Sequence, residues 1–170
     1  MSDMFETRTR EMQFRMAEAN IDVMLLADPD SIFYFTAYWG DLGVEFGRPS
    51  IVVLPRDGEP TLITSSIEGE MCERMTWLRD IQLYSDGIGR EWVDPLQKAL
   101  EKHKGRRFAV VPNKVPSLVI NYMIDAGIWG GLVNGDKVLS DQRMIKSAEE
   151  IKHIRQAGKV AVAMTDAARA

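Results

Sequence analysis

Three side chains in one short stretch could meet a small molecule. Arg48 carries a planar guanidinium that matches a carboxylate with two parallel N–H bonds. Phe46 offers a flat apolar face, and Trp39 could form a second wall. The stretch from Tyr38 to Gly47 also holds Gly40, Asp41, Gly43 and Glu45 and follows neither a helical nor a strand period. It is expected to be a long loop carrying aromatics that a loop does not need for packing alone. The same residues admit a plainer use: Phe46 and Trp39 could cover the sheet edge while Arg48 pairs with Asp41 or Glu45.

Elsewhere the chemistry is sparse. Glu150 and His153 form a Glu-x-x-His pair that can ligate a metal from one helical face. A carboxylate-bridged dinuclear site needs two such helices and further carboxylates, and the other histidine, His103, has no Glu three residues before it. Polar residues on a solvated helix face explain the pair better. Cys72 lies in a helical pattern beside Met71 and Met75, with nothing nearby in sequence to lower its pKa, and reads as a buried, inert thiol. There is no G-x-S-x-G elbow and no P-loop. No catalytic residue and no metal ligand is therefore assigned to this chain.

The elements that must position the 38–48 loop are legible. Met4–Asn20 reads as a helix with Phe5, Met12, Met16 and Ala19 on one face. Val23–Ala27 and Ser50–Leu54 are continuous apolar runs, expected of strands buried on both faces. Between them, Asp28–Ser31 is a turn that can open a short helix over Ile32–Phe35. Pro55–Pro60 is a turn, with Thr61–Thr64 its hairpin partner. Ser66–Thr76 is helical, with Ile67, Met71 and Met75 on one side; Ile81–Tyr84 is a strand. An amphipathic helix from Trp92 closes at Gly105, a strand covers Phe108–Val111, a helix Pro116–Ala126 closes at Gly127, and Leu132–Val133 forms a last short strand. Helices alternating with buried strands around one hairpin indicate an α/β domain with a mixed β-sheet flanked by helices.

The chain has 170 residues, 45% hydrophobic and 27% charged, which suits one globular domain over residues 1–135. A net charge of -4 gives no basic excess to drive nucleic-acid binding. The basic spot at Lys102–Lys104 and Arg106–Arg107 reads as a solvated helix end. No apolar run approaches the ~20 residues that span a bilayer, and no apolar core of a signal peptide can be drawn. With Cys72 the single cysteine, a disulfide-free cytoplasmic protein is expected. Residues 136–170 read as a linker and a further helix. Ser147 to Glu150 forms a capping box, and the apolar line Ile151, Ile154, Ala157, Ala161, Met164, Ala168 runs to the end with no closing cap.

Several motifs then coincide. Asn20-Ile21-Asp22 precedes the first strand, Asp28-Pro29-Asp30-Ser31-Ile32-Phe33-Tyr34-Phe35-Thr36 follows it, and Arg143-Met-Ile-Lys146-Ser-Ala-Glu149-Glu150-Ile151 stands at the far end. This resembles the creatinase and prolidase ("pita-bread") metallohydrolases. Their amino-terminal domain opens on a similar strand followed by N-I-x-Y-L-T-G, and their linker reads close to R-x-I-K-S-x-x-E-I. Here Asp30-Ser31 replaces the usual Asn, Phe35 the usual Leu and Ala37 the usual Gly.

The resemblance implies a mixed α/β amino-terminal domain, with 136–170 the linker and first helix of a carboxy-terminal hydrolase domain. That domain would bind two divalent metals (manganese, cobalt or zinc) through five ligands lying beyond Ala170. Phe46-Gly47-Arg48 is similar to a Phe-Gly-Arg stretch with which creatinase reaches into the neighbouring subunit's site. Carried over, Phe46 would pack on substrate and Arg48 would bind its carboxylate, within a homodimer. The expected function is a substrate wall and dimer-assembly domain of an Xaa-Pro peptidase-like hydrolase cleaving a C–N bond. A creatinase-like amidinohydrolase and a free-standing, non-catalytic binding module remain the alternatives.

Overall fold

The computed structural model describes residues 2–40, 47–87 and 89–169. It divides into two compact units, Met1–Val138 and Leu139–Ala170. The first is built on a six-stranded mixed sheet. In chain order its strands are β1 (Val23–Leu26), β2 (Ile51–Pro55), β3 (Thr61–Ser65), β4 (Asp80–Tyr84), β5 (Arg107–Val110) and β6 (Gly131–Asn134). Across the sheet the order is β4-β3-β2-β1-β5-β6. β1–β2 and β2–β3 are antiparallel, and the other three pairings are parallel. The helices are α1 (Ser2–Glu18), α2 (Pro29–Thr36), α3 (Gly69–Met75), α4 (Val93–Glu101), α5 (Ser117–Ala126), α6 (Asp136–Met144) and α7 (Ala148–Arg169).

Burial explains the inner strands. Every residue of β1, β2 and β3 is buried, as their unbroken apolar runs require. Side chains alternate across a strand. Val23, Leu25, Ile51, Val53, Ile63, Phe108 and Val110 join Trp92, Leu96, Leu100, Val119 and Met123 in one cluster. Met24, Leu26, Val52, Leu54 and Leu62 fill the opposite face and are equally buried. The four side chains of β1 contribute on the order of 6–12 kcal/mol, comparable with a domain's whole net stability. The edge strands read differently because one side lacks a neighbour: β6 alternates half-buried and exposed, and β4 is mostly half-buried.

The connections carry the expected stop signals. Asn20 adopts the left-handed conformation (φ 54°) after α1, and Gly127 does the same (φ 58°) after α5. Asp28 caps α2 by accepting from the Ser31 N–H at 3.0 Å, with Pro29 beginning the helix. Ser147 and Glu150 form the reciprocal capping box that opens α7: Glu150 Oε2 accepts from the Ser147 N–H (2.7 Å), and Ser147 Oγ from the Glu150 N–H (3.2 Å).

Two details go beyond the local sequence pattern. The segment after Asn134 opens with helix α6, begun by Asn134 Oδ1 accepting from the Asp136 N–H at 2.8 Å. Its apolar periodicity is too sparse to announce a helix. The Ser66–Thr76 helix splits into a 3₁₀ turn (Ser66–Glu68) and α3, and its apolar line is not the buried one. Ile67 is 60% exposed and Met71 and Met75 are each 37% exposed, whereas Glu68, Gly69 and Cys72 are buried. At Gly69 a Cβ would stand 2.9 Å from Leu83 Cδ1, so α3 lies too close to the end of β4 for a larger residue there.

Candidate functional site

The loop that begins at Tyr38 and returns at Arg48 is held at both ends, and the two anchors differ in chemistry. The outgoing end leaves α2. Thr76 Oγ1 and Trp77 Nε1 donate to the last carbonyls of that helix, at Thr36 (2.8 Å) and Phe35 (2.8 Å). Thr9 and Arg8 of α1 bind the carbonyls of Phe35 and Tyr34, and the Arg8 guanidinium lies 4.1 Å from the centre of the Tyr34 ring. Ala37 then turns the chain in the left-handed conformation (φ 66°), which explains why glycine is usual there in the family it resembles.

Tyr38 follows, and it is a core residue: none of it is exposed. Its hydroxyl donates to Glu68 Oε2 at 2.7 Å and lies 3.0 Å from Thr64 Oγ1, which lies 2.8 Å from Ser50 Oγ. The proton directions follow from valence. A phenol has one proton, and Tyr38 gives it to the carboxylate, which can only accept. Thr64 must therefore donate to Tyr38, and Ser50 to Thr64. The result is a buried relay, Ser50→Thr64→Tyr38→Glu68, joining the starts and ends of β2, β3 and the 3₁₀ turn. Burial pushes the Tyr38 phenol well above its ordinary value; the Thr64 hydrogen bond opposes this and Glu68 adds to it. Gly40 lies against the relay, where a Cβ would stand 2.5 Å from Tyr38 Oη and 3.0 Å from Glu68 Oε2.

The returning end is fixed by the end of β4. Arg48 Nε and Nη2 donate to Asp86 Oδ1 and Oδ2, each at 2.5 Å, a two-pronged pair with 27% of the Arg48 side chain and 41% of the Asp86 side chain exposed. Arg48 pulls the Asp86 carboxyl below its ordinary range, and Asp86 raises Arg48 in return. Next to it, the buried Tyr84 hydroxyl donates to the Pro49 carbonyl at 3.1 Å.

The three residues singled out in the sequence are thus placed unequally. Arg48 pairs with Asp86, a carboxylate that the end of β4 brings to the loop's foot from 38 positions away; Asp41 and Glu45 lie outside the described residues. Trp39 is 42% exposed and rests edge-on against Phe33, 6.1 Å between ring centres; Phe33 in turn meets Phe5 at 5.6 Å. Below them runs a groove of about 410 Å³ lined by Phe5, Phe33, Ala37, Met75 and Trp77. Phe46 lies outside the described residues. Sequence reasoning missed Asp86, Glu68 and the inward turn of Tyr38. A weak signal exists for the last: Tyr38 stands three residues after Phe35, the aromatic of α2 that is buried.

The remaining candidates resolve plainly. Cys72 is fully buried, and burial pushes its thiol up to about 12, so it is inert. His153 Nε2 lies 3.6 Å from Glu149 on its own helix, and Glu150 is used in the capping box. His103 is half-buried rather than exposed, and burial with Lys102 and Arg106 beside it lowers its pKa. Among the described residues no group of three His, Cys, Asp or Glu side chains could hold a metal ion, and no helix is long and apolar enough to cross a membrane.

A mixed six-stranded sheet flanked by helices, with an anchored loop at one end, defines the architectural class. The chain belongs to the Creatinase/Prolidase N-terminal domain family, whose model matches residues 8–145. Its fold is that of the prolidase from Thermococcus sibiricus (TM-score 0.78, 20% identity, 92% of this chain and 41% of that one). The Xaa-Pro dipeptidase from Bacillus anthracis matches similarly (TM-score 0.73, 17% identity, 95% and 42%). So does the isolated Creatinase/Prolidase N-terminal domain of an X-Pro dipeptidase from Streptococcus pyogenes (TM-score 0.68, 12% identity, 80% and 98%). Among curated proteins, the agropine synthesis cyclase of Rhizobium rhizogenes is 35% identical over 66 residues, 39% of this chain and 16% of that protein. The chain thus spans about two fifths of the two full-length peptidases and a sixth of the cyclase.

Proposed function

We propose that this chain is the substrate-wall and dimer-assembly domain of a dinuclear-metal hydrolase that cleaves a C–N bond, with an Xaa-Pro dipeptide as the leading substrate class. The observation that carries the reading is Arg48: a forked cation at the foot of a doubly anchored loop, in a domain of the creatinase and prolidase family. A forked cation held at a loop anchored at both ends suits the recognition of a small carboxylate-bearing molecule. Trp39 and Phe46 would wall the ligand, and Arg48 would bind its carboxylate. The metals, manganese, cobalt or zinc, would be held by a following domain, of which 136–170 is the linker and first helix. The loop would close a site on the second subunit of a homodimer.

A creatinase-like hydrolase of small amides is the second reading. It is favoured by the match to the agropine synthesis cyclase, whose name concerns a small molecule rather than a peptide. One experiment separates the two. The full-length protein, loaded with each metal in turn, is offered Ala-Pro, creatine and related amides. Turnover of Ala-Pro supports the first reading, and turnover of creatine alone supports the second. Hydrolysis of none of them refutes both and leaves a non-catalytic binding module. In an active enzyme Arg48→Ala is expected to raise KM about tenfold or more, the size of a lost charge-assisted carboxylate contact.

A further inference from the structure

Arginine has five N–H donors in a fixed plane: one on Nε and two on each terminal nitrogen. Asp86 uses the side-on edge, Nε and one Nη2 proton. The second Nη2 proton and one Nη1 proton form the end-on edge, which is also a fork, and it carries no other hydrogen bond or ion pair among the described residues. A second carboxylate can therefore meet Arg48 without displacing the first. Two features make the arrangement a mount rather than a chance surface pair. Both of Asp86's oxygens are engaged, which fixes the rotation of the guanidinium plane. Two residues earlier, the Tyr84 hydroxyl ties down the Pro49 carbonyl, immediately after Arg48, so backbone and side chain are held from the same strand end. Holding both removes rotamer freedom that a long cationic side chain would otherwise lose on binding ligand.

We propose that Asp86 is the positioning residue for Arg48: it grips the side-on edge of the guanidinium and presents the end-on edge to a ligand bearing a free carboxylate. This rests on the reading that Arg48 faces substrate. It adds that selectivity for the carboxylate depends on a residue that never touches the ligand.

The test uses the full-length enzyme and two substrates, Ala-Pro and its C-terminal amide. Arg48→Ala tests the underlying reading: it should raise KM for Ala-Pro and erase the preference over the amide. Asp86→Asn keeps the shape but loses the charge and one acceptor. It should raise KM for Ala-Pro about two- to fivefold, the range of a partly exposed ion pair. It should leave kcat within about twofold and the amide's KM nearly unchanged, with Asp86→Glu recovering most of the loss. If Arg48→Ala raises KM but Asp86→Asn does not, the proposal is overturned while the site reading stands. Equal effects of Asp86→Asn on both substrates, or a fall in kcat alone, also overturn it, since they indicate a general structural role. If Arg48→Ala changes nothing, the site reading fails and the proposal with it.

Discussion

Tyr38→Phe removes one oxygen from the buried relay and tests whether polar bonding, rather than ring packing, secures the loop's outgoing end. The ring and its burial stay, so no cavity term arises. Two hydrogen bonds disappear: the 2.7 Å donation to Glu68 and the 3.0 Å contact with Thr64. The first is charge-assisted and worth ~1.5–3 kcal/mol; the second, neutral, is worth ~1 kcal/mol. Removing the phenol's own desolvation cost returns part of this, so a net loss of about 2–3 kcal/mol is expected. For a chain of this size each kcal/mol lowers Tm by roughly 2–4 °C, giving a fall of about 4–12 °C. Urea unfolding followed by circular dichroism should show a lower midpoint with an unchanged slope. Glu68→Gln, combined with Tyr38→Phe in a double-mutant cycle, should return a coupling energy of about 1–2 kcal/mol. A Tyr38→Phe loss under ~0.5 kcal/mol, or a coupling near zero, would refute the assigned proton directions and leave the ring as the anchor.

Two further outcomes follow from strain and titration. Ala37 holds a left-handed conformation that costs an L-residue roughly 1–2 kcal/mol, so Ala37→Gly should stabilise the domain by about 0.5–1 kcal/mol once the added freedom of the unfolded chain is subtracted; a fall in Tm would contradict this. Alkaline pH should unfold the protein in two stages. Burial raises Cys72 from its ordinary 9.0 to about 12, so above pH 9 the unfolded thiol releases a proton that the folded one keeps. Stability should then fall by about 1.4 kcal/mol per pH unit. Tyr38 and Tyr84, both raised by burial above their ordinary 10.0, join above pH 10 and steepen the slope. Thermal melts from pH 8 to 11 should show the break, and Cys72→Ala should remove the first stage only; a Tm flat to pH 10 would be incompatible with the buried thiol.

The parts of the fold legible in sequence are those whose signal is local. β1 and β2 are unbroken apolar runs, Asp28-Pro29 caps α2 from three residues away, and Ser147–Glu150 closes its own capping box. What escaped is what tertiary contact decides. The Arg48–Asp86 pair joins residues 38 apart, and Tyr38–Glu68 residues 30 apart, separations at which no local pattern names a partner. The apolar line Ile67, Met71, Met75 suggests a core-facing helix, yet Glu68, Gly69 and Cys72 form the buried face. The motif Phe46-Gly47-Arg48 named the loop, while the carboxylate that mounts its arginine had no motif at all.

The central place of β1 has a consequence for how the chain is made. It pairs with β2, Val23 opposite Pro55, and with β5, Val23 opposite Phe108. The first partner leaves the ribosome soon after β1, together with β3 and β4. The second follows about two dozen residues behind β4, which at ~5–20 residues per second is on the order of one to five seconds. Through that interval a half-sheet can already be assembled with one flank of the Val-Met-Leu-Leu strand unpaired, an apolar edge of the kind that recruits other chains. A translational pause between Tyr84 and Arg107 would lengthen this interval, so the nascent chain is most exposed to aggregation and chaperone capture there, well before the site-bearing loop is put to use.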